Sequence, residues 1–131
     1  MKWVYLGFVL CCISSCSDSY TSKELLGNYV PTAFVNTKDT IRFLENGIYE
    51  RVVYNKNGQL ALKMKSFWSL DAKCKLRMDH FYLNFDDDLI SHPHLVNDTA
   101  MVMSTVVESK NGGIQFCVGY QLGENCYRKL R

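Results

Sequence analysis

The sequence DTIRFLENGIYERVVY, residues 39–54, carries the clearest structural signal of the chain. Two runs rich in β-branched and aromatic residues, 39–44 and 48–54, stand on either side of Asn46-Gly47. An Asn-Gly pair between such runs favours a tight hairpin, because both residues readily adopt the positive φ angles that the turn requires. The stretch therefore predicts two antiparallel strands.

A second Asn-Gly pair, Asn57-Gly58, leads into residues 60–70, where apolar and polar side chains alternate. A period of two is that of a strand with one buried face. The predicted buried face consists of Leu60, Leu62, Met64, Ser66, Trp68 and Leu70, whereas Lys63, Lys65, Phe67 and Ser69 face the other way. The next run repeats the alternation, with a predicted buried face of Cys74, Leu76, Met78, His80 and Tyr82.

Along the whole chain these patterns predict about eight antiparallel strands joined mostly by short turns. A short helical turn precedes them, and either Thr21 or Ser22 can cap it. A meander of this kind leaves two exposed edge strands unless it closes on itself. We therefore expect an all-β barrel, with a two-sheet β-sandwich as the alternative.

The order of a helical turn, a strand beginning at Gly27-Asn28-Tyr29, glycine hairpins and a strand with Trp68 resembles the small lipocalin-like barrels of bacterial lipoproteins. The resemblance implies a meander barrel over most of the chain and a cavity that accepts a small apolar ligand. The residues that would line this cavity are Tyr29, Phe43, Trp68, Tyr82 and Phe116. Small eight-stranded barrels can also be filled by their own side chains, and for any one of these residues core packing is the commoner role.

The first sixteen residues, MKWVYLGFVLCCISSC, have the layout of a secretory signal, with an apolar run too short to span a bilayer. Ile13-Ser14-Ser15-Cys16 resembles the lipobox of bacterial lipoproteins, which implies cleavage before Cys16 and acylation of that residue. The predicted organisation is a signal peptide over 1–15, a lipidated tether over 16–22 and a single barrel domain over 23–131. We expect a cell-envelope protein held on the outer membrane, either on its periplasmic face or at the cell surface.

The charge pattern and the motifs narrow the range of functions. The net charge is +2, and basic residues are interspersed with acidic ones, so nucleic acid is not an expected partner. The sequence has no Gly-x-Ser-x-Gly elbow, no glycine-rich phosphate loop and no His-Glu-x-x-His. We therefore expect a protein that binds, does not catalyse and carries no cofactor.

Three of the six cysteines, Cys74, Cys117 and Cys126, fall within the predicted barrel domain. Export would place them in an oxidising compartment that permits a disulfide. Cys117 and Cys126 flank a predicted hairpin and are the easiest pair to bring together, but Cys74 could join either one if its strand lies alongside. No CxxC or HxxxH spacing accompanies them, so the sequence predicts no zinc site.

The long connection from Phe85 to Ala100 contains Asp86-Asp87-Asp88 and His92-Pro93-His94. Carboxylates and imidazoles can ligate a metal, which makes His92 and His94 weak candidates. Asp and Pro also collect in ordinary turns, and we predict no metal site here. Long connections in compact domains often serve recognition, so a contact surface is the better interpretation.

Three functions fit these observations. The first is a membrane-anchored binding module for a small apolar ligand or a lipid. The second is a periplasmic immunity or inhibitor lipoprotein that binds a toxin or hydrolase through the Phe85 to Ala100 connection. The third is a structural lipoprotein of the envelope.

Overall fold

In the computed structural model, residues 19–86 and 101–131 are described, and they form eight antiparallel strands in a closed barrel. Each strand pairs with the next, and β1 pairs with β8. The helix and strand bounds are α1 Ser22–Leu25, β1 Gly27–Pro31, β2 Thr37–Phe43, β3 Ile48–Asn55, β4 Leu60–Leu70, β5 Lys75–Asp79, β6 Val102–Lys110, β7 Gly113–Cys117 and β8 Cys126–Lys129. The predicted all-β barrel is confirmed, and the sandwich alternative is wrong because β1 and β8 close the sheet.

The hairpin between β2 and β3 forms where the Asn-Gly pair predicts it. Asn46 and Gly47 have φ angles of 66° and 70°, and the N–H of Leu44 donates to the carbonyl of Ile48 at 2.9 Å. From this turn the two strands pair without interruption as far as Thr37 and Asn55. The local sequence therefore fixes the register of these two strands.

Alternation along β4 follows the prediction over most of its length. Leu62, Ser66 and Trp68 are buried, whereas Phe67 is exposed. Leu60, which was expected on the buried face, is exposed at the start of the strand.

The prediction for the following strand is wrong beyond Met78. β5 ends at Asp79, and His80 has a φ angle of 54°, which breaks the period of two. The buried face shifts by one residue as a consequence. His80 is exposed, and Phe81 and Leu83 are buried where His80 and Tyr82 were expected to be. Tyr82 is partly buried.

Helix α1 covers one end of the barrel. Thr21 caps it: the Thr21 hydroxyl accepts from the N–H of Glu24 at 3.4 Å, and the Glu24 carboxylate accepts from the N–H of Thr21 at 2.7 Å. Leu25 is fully buried, and the Tyr29 hydroxyl donates to its carbonyl at 2.9 Å. Tyr20 also packs on the core, so some residues of the predicted tether, 16–22, belong to the folded domain.

Aromatic side chains occupy the centre of the barrel. The ring centroids of Tyr29, Phe43 and Phe116 lie 5.1 to 5.8 Å apart, and Phe116 stacks on Tyr127 at 5.5 Å. Such ring pairs contribute about 0.5–1.5 kcal/mol each beyond the area they bury. The interior between these residues is therefore filled by the protein itself.

The meander gives the barrel two distinct ends. The end covered by α1, called the α1 end below, also holds the turns at 44–47, 71–74 and 111–112 and the C-terminus. The opposite end, called the far end, holds the connections at 32–36, 56–59 and 118–125 and the segment that follows β5. Among the described residues, no helix is long and apolar enough to cross a membrane.

Candidate functional site

The five residues predicted to line a ligand cavity do not converge on one space. Tyr29, Phe43 and Phe116 are buried and pack on one another. Trp68 donates from Nε1 to the carbonyl of Leu44 at 3.1 Å and borders a groove at the α1 end. Tyr82 packs against a separate small cluster around Val53 and Leu62. Their role as ligand-lining residues stays a prediction.

A fully buried ion pair lies inside the barrel. Arg51 and Asp39 have no exposed side-chain surface, and two hydrogen bonds join them, from Nε to Oδ1 at 3.0 Å and from Nη2 to Oδ2 at 2.7 Å. Enclosing two charges costs several kcal/mol per ion unless good geometry and further hydrogen bonds compensate. The partners around the pair supply that compensation.

Those partners come from distant parts of the chain. Oδ2 of Asp39 also accepts from the Tyr127 hydroxyl at 2.7 Å and from Nδ2 of Asn84 at 3.0 Å. Arg51 donates from Nη1 to the carbonyl of Tyr82, and its guanidinium lies 4.6 Å from the ring centroid of Phe81. The ion pair thereby holds the segment 81–84 against the inside of the barrel.

Ionisation of this network follows from its surroundings. Burial alone would lower the pKa of Arg51, but the adjacent Asp39 carboxylate and the Tyr127 hydroxyl more than offset that effect and raise it. Burial raises the pKa of Tyr127 well above its usual value. At neutral pH the side chains are therefore a guanidinium cation and a neutral phenol. The Asp39 carboxylate accepts four hydrogen bonds, so its role is structural.

At the far end, Asp86 joins the segment after β5 to the connection between β1 and β2. Its carboxylate accepts from the backbone N–H groups of Val35, Asn36 and Thr37 at 2.8 to 3.1 Å and from the Thr37 hydroxyl at 3.0 Å. Partial burial would raise the pKa of Asp86, but these hydrogen bonds outweigh it and hold the pKa below the usual value. The start of the predicted recognition connection is thus anchored to the β1–β2 connection.

A gap in the barrel wall opens between β6 and the connection after β7. β6 pairs with β5 along residues 102–106 and with β7 along residues 107–110. Its two neighbours therefore lie beside different halves of the strand. A groove of about 350 Å³ lies in this gap, between residues 103–106 on one side and residues 117–123 on the other. We call it the β6 groove.

A hairpin at residues 118–125, closed at its base by a disulfide, forms the second wall of the β6 groove. A disulfide joins Cys117 to Cys126 at its base, and the N–H groups of Val118 and Gly119 donate to the carbonyls of Asn125 and Glu124. A Cβ on Gly119 would lie 2.5 Å from Cβ of Glu124, so only glycine fits there. The disulfide and these two hydrogen bonds hold the two arms of the hairpin together at its base.

Exposed apolar side chains concentrate beside this groove. Ten large apolar side chains are exposed among the described residues, and half of them belong to β6, its leading residue or the hairpin. These five are Met101, Val102, Val106, Tyr120 and Leu122. Clustered exposed apolar surface marks interaction sites more often than scattered single residues do. The β6 groove is the candidate site.

Four other predicted site residues lie away from the β6 groove or outside the described part of the chain. Cys74 is buried outside the disulfide, and its sulfur accepts from the N–H of Tyr20 at 3.0 Å. Cys16, His92 and His94 lie outside the described residues. Within 19–86 and 101–131, no three His, Cys, Asp or Glu side chains come together as a metal site.

Sequence reasoning missed both the ion pair and the groove. Asp39 and Arg51 do occupy the buried face that alternation predicts for their strands, and a charged residue on such a face was the available signal. The sequence predicts a strand over residues 114–120, whereas β7 ends at Cys117, so Tyr120 and Leu122 carry no comparable signal. Searches with family models, against curated proteins and against solved structures each returned no match to this chain.

Arg51→Met should lower the free energy of unfolding by about 3–5 kcal/mol, because it leaves the Asp39 carboxylate buried without its cation. Urea unfolding followed by circular dichroism measures the loss. The matched control Arg42→Met, at an exposed arginine on β2, should change stability by less than about 0.5 kcal/mol. The double variant Asp39→Leu with Arg51→Met should lose less than the two single variants combined. A loss below about 1 kcal/mol for Arg51→Met would contradict this account.

Asp86→Asn should destabilise the protein at pH 7 by about 1–3 kcal/mol, because a carboxylate that accepts several backbone N–H bonds is replaced by a neutral amide. The native pKa of Asp86 lies below its unfolded value, so this stabilisation is present above about pH 4 and is lost as the pH falls through the native pKa. The stability difference between wild type and variant should therefore shrink between pH 7 and pH 2.5 in urea titrations. A difference that is constant with pH would refute the assignment.

Proposed function

We propose that the protein is an acylated envelope lipoprotein with a lipocalin-like barrel that binds a partner protein through the β6 groove and does not catalyse a reaction. An inhibitor or immunity lipoprotein acts in this manner. The proposal takes the second of the functions that the sequence suggests, with the β6 groove as the contact surface in place of the Phe85 to Ala100 connection. The observation that carries it is the contrast between a filled interior and an apolar exterior at the β6 groove.

The filled interior leaves little room for a ligand at the centre of the barrel. The rings of Tyr29, Phe43 and Phe116 contact each other there, and the Arg51–Asp39 network occupies the part nearer the far end. A ligand inside would have to displace aromatic contacts or break a compensated ion pair. This observation favours recognition on the outer surface.

The topology also suits a protein tethered at its N-terminus. Residues 19–21 lead into α1, so the predicted anchor at Cys16 would hold the α1 end towards the membrane. The hairpin at 118–125 lies at the far end, pointing away from that membrane. A partner in the aqueous space would therefore meet Tyr120 and Leu122 without obstruction by lipid.

An apolar ligand remains the second candidate, at a different place. A groove of about 490 Å³ at the α1 end is lined by Trp68 with Leu26, Leu44 and Leu70. Of the predicted ligand-lining residues, Trp68 is the one that borders it. Its position next to α1 would bring it near the lipid surface, which favours a lipid as the ligand.

Photo-crosslinking tests the protein-binding proposal. A benzoylphenylalanine placed at Tyr120, whose side chain is 84 % exposed, should give a protein adduct of defined mass in intact cells. The matched control is Phe67, an aromatic residue on β4 that is 62 % exposed and lies away from the groove. Adducts at both positions alike, or at neither, would contradict the proposal, and the second result would favour the apolar-ligand candidate.

Cys16→Ser should release the protein from the membrane fraction, because acyl chains contribute about 0.8 kcal/mol per buried methylene and the variant cannot be acylated. Fractionation followed by immunoblotting measures the distribution. Cys12→Ser, a cysteine inside the predicted signal, is the control and should remain in the membrane fraction. Retention of the Cys16→Ser variant in the membrane would defeat the anchoring proposal.

A further inference from the structure

We propose that the β6 groove accepts an extended apolar segment of the partner protein, which adds to β6 as an extra strand. This inference rests on the proposed function and deepens it, since it names the mode of recognition and the chemistry of the bound segment. It rests on the orientation of the backbone N–H and C=O groups of β6 in the part of the strand that does not pair with β7.

The direction of the β6 backbone follows from two printed hydrogen bonds. The carbonyl of Met101 accepts from the N–H of Phe81 at 3.0 Å, and the N–H of Val107 donates to the carbonyl of Cys74 at 2.9 Å. Backbone groups of successive residues in a strand point to opposite sides. The odd-numbered residues of β6 therefore bond to β5, and Val102 and Ser104 direct their backbone groups into the groove.

β7 does not reach these groups. Its pairing with β6 begins at Val107, and the Thr105 hydroxyl donates to the carbonyl of Cys117 at 2.6 Å at the point where the two strands separate. Beyond it the chain turns into the 118–125 hairpin, whose N–H groups at Val118 and Gly119 bond within the hairpin. In the part of the chain that the structure describes, no backbone hydrogen bond joins Ser104 to that hairpin.

Within residues 19–86 and 101–131, this edge of β6 is unpaired at Ser104, and such an edge selects for a polypeptide. Its N–H and C=O groups need hydrogen-bonding partners along their length, and an added strand supplies them whereas an acyl chain cannot. Alternate side chains of the added strand would face the inner side of the gap, where Met103 and Val118 line the groove. The other side chains would meet the exposed Val106 and Tyr120. The bound segment is therefore short, extended and apolar on both faces.

A displayed library of random twelve-residue peptides, selected on the full chain held in lipid nanodiscs, provides the probe. We expect the enriched peptides to be rich in Val, Ile and aromatic residues and free of proline at their centre. Their binding should fall at least about fivefold with Ser104→Pro, which removes an N–H that faces the groove. Proline is tolerated at this position because that N–H takes no part in pairing with β5.

Two further variants distinguish strand addition from nonspecific binding to exposed apolar surface. Val106→Lys should weaken the enriched peptides about tenfold, because it places a charge on the apolar rim. The matched control Phe67→Lys removes an equally exposed apolar side chain on β4, where the exposed fractions are 60 % for Val106 and 62 % for Phe67. This control should leave binding unchanged. Circular dichroism confirms that each variant is folded.

Several outcomes would overturn strand addition. They are an absence of enrichment, enriched peptides that bind folded Ser104→Pro as well as wild type, and equal losses for Val106→Lys and Phe67→Lys. The proposed function fails separately, by the crosslinking result at Tyr120. A crosslinked partner whose binding is unaffected by Ser104→Pro would preserve protein binding and refute strand addition.

Discussion

The ion pair between Arg51 and Asp39 is the constraint on which the rest of this barrel depends. Two opposite charges without any exposed surface are tolerated only where every neighbouring polar group contributes a hydrogen bond. Here the contributors are the Tyr127 hydroxyl, the Asn84 amide and the carbonyl of Tyr82. The segment after β5 must therefore run back across the barrel, because the pair is incompletely satisfied without it.

That requirement determines which surfaces remain for the proposed recognition. Phe81, Leu83 and Asn84 are buried at the far end, and Asp86 ties the chain there to the turn at 35–37. With the interior filled and this end covered, apolar contact surface is left on the outside of the wall. The gap beside β6 provides such a surface together with a strand edge, and the disulfide between Cys117 and Cys126 holds the facing hairpin in shape.

The two ends of the barrel would separate the proposed anchoring from the proposed recognition. The α1 end receives the chain from the predicted lipid anchor, and its capped helix packs Leu25 and Tyr20 onto the core close to that point. The hairpin with Tyr120 and Leu122 lies at the other end, so anchoring and recognition need not compete for the same surface. An up-and-down meander produces this separation directly, since its alternate turns fall at opposite ends.

The sequence by itself determined most of the strands, the Asn46-Gly47 hairpin and most of the buried face of β4, because turn chemistry and a period of two are local properties. The choice of a closed barrel over a sandwich required the pairing of β1 with β8, which joins the two ends of the domain. The alternation in β2 and β3 is consistent with the buried positions of Asp39 and Arg51, although these two residues were not identified from the sequence. Only the tertiary structure decided that they meet, and that Tyr127, 88 residues beyond Asp39, completes the pair. The reversal at His80 and the gap beside β6 were beyond local patterns as well. The gap forms where β6 and β7 separate, and the chain reverses at His80 where the segment 81–84 contacts the buried ion pair. Both features depend on contacts between residues far apart in the chain, so the spacing of neighbouring residues does not predict them.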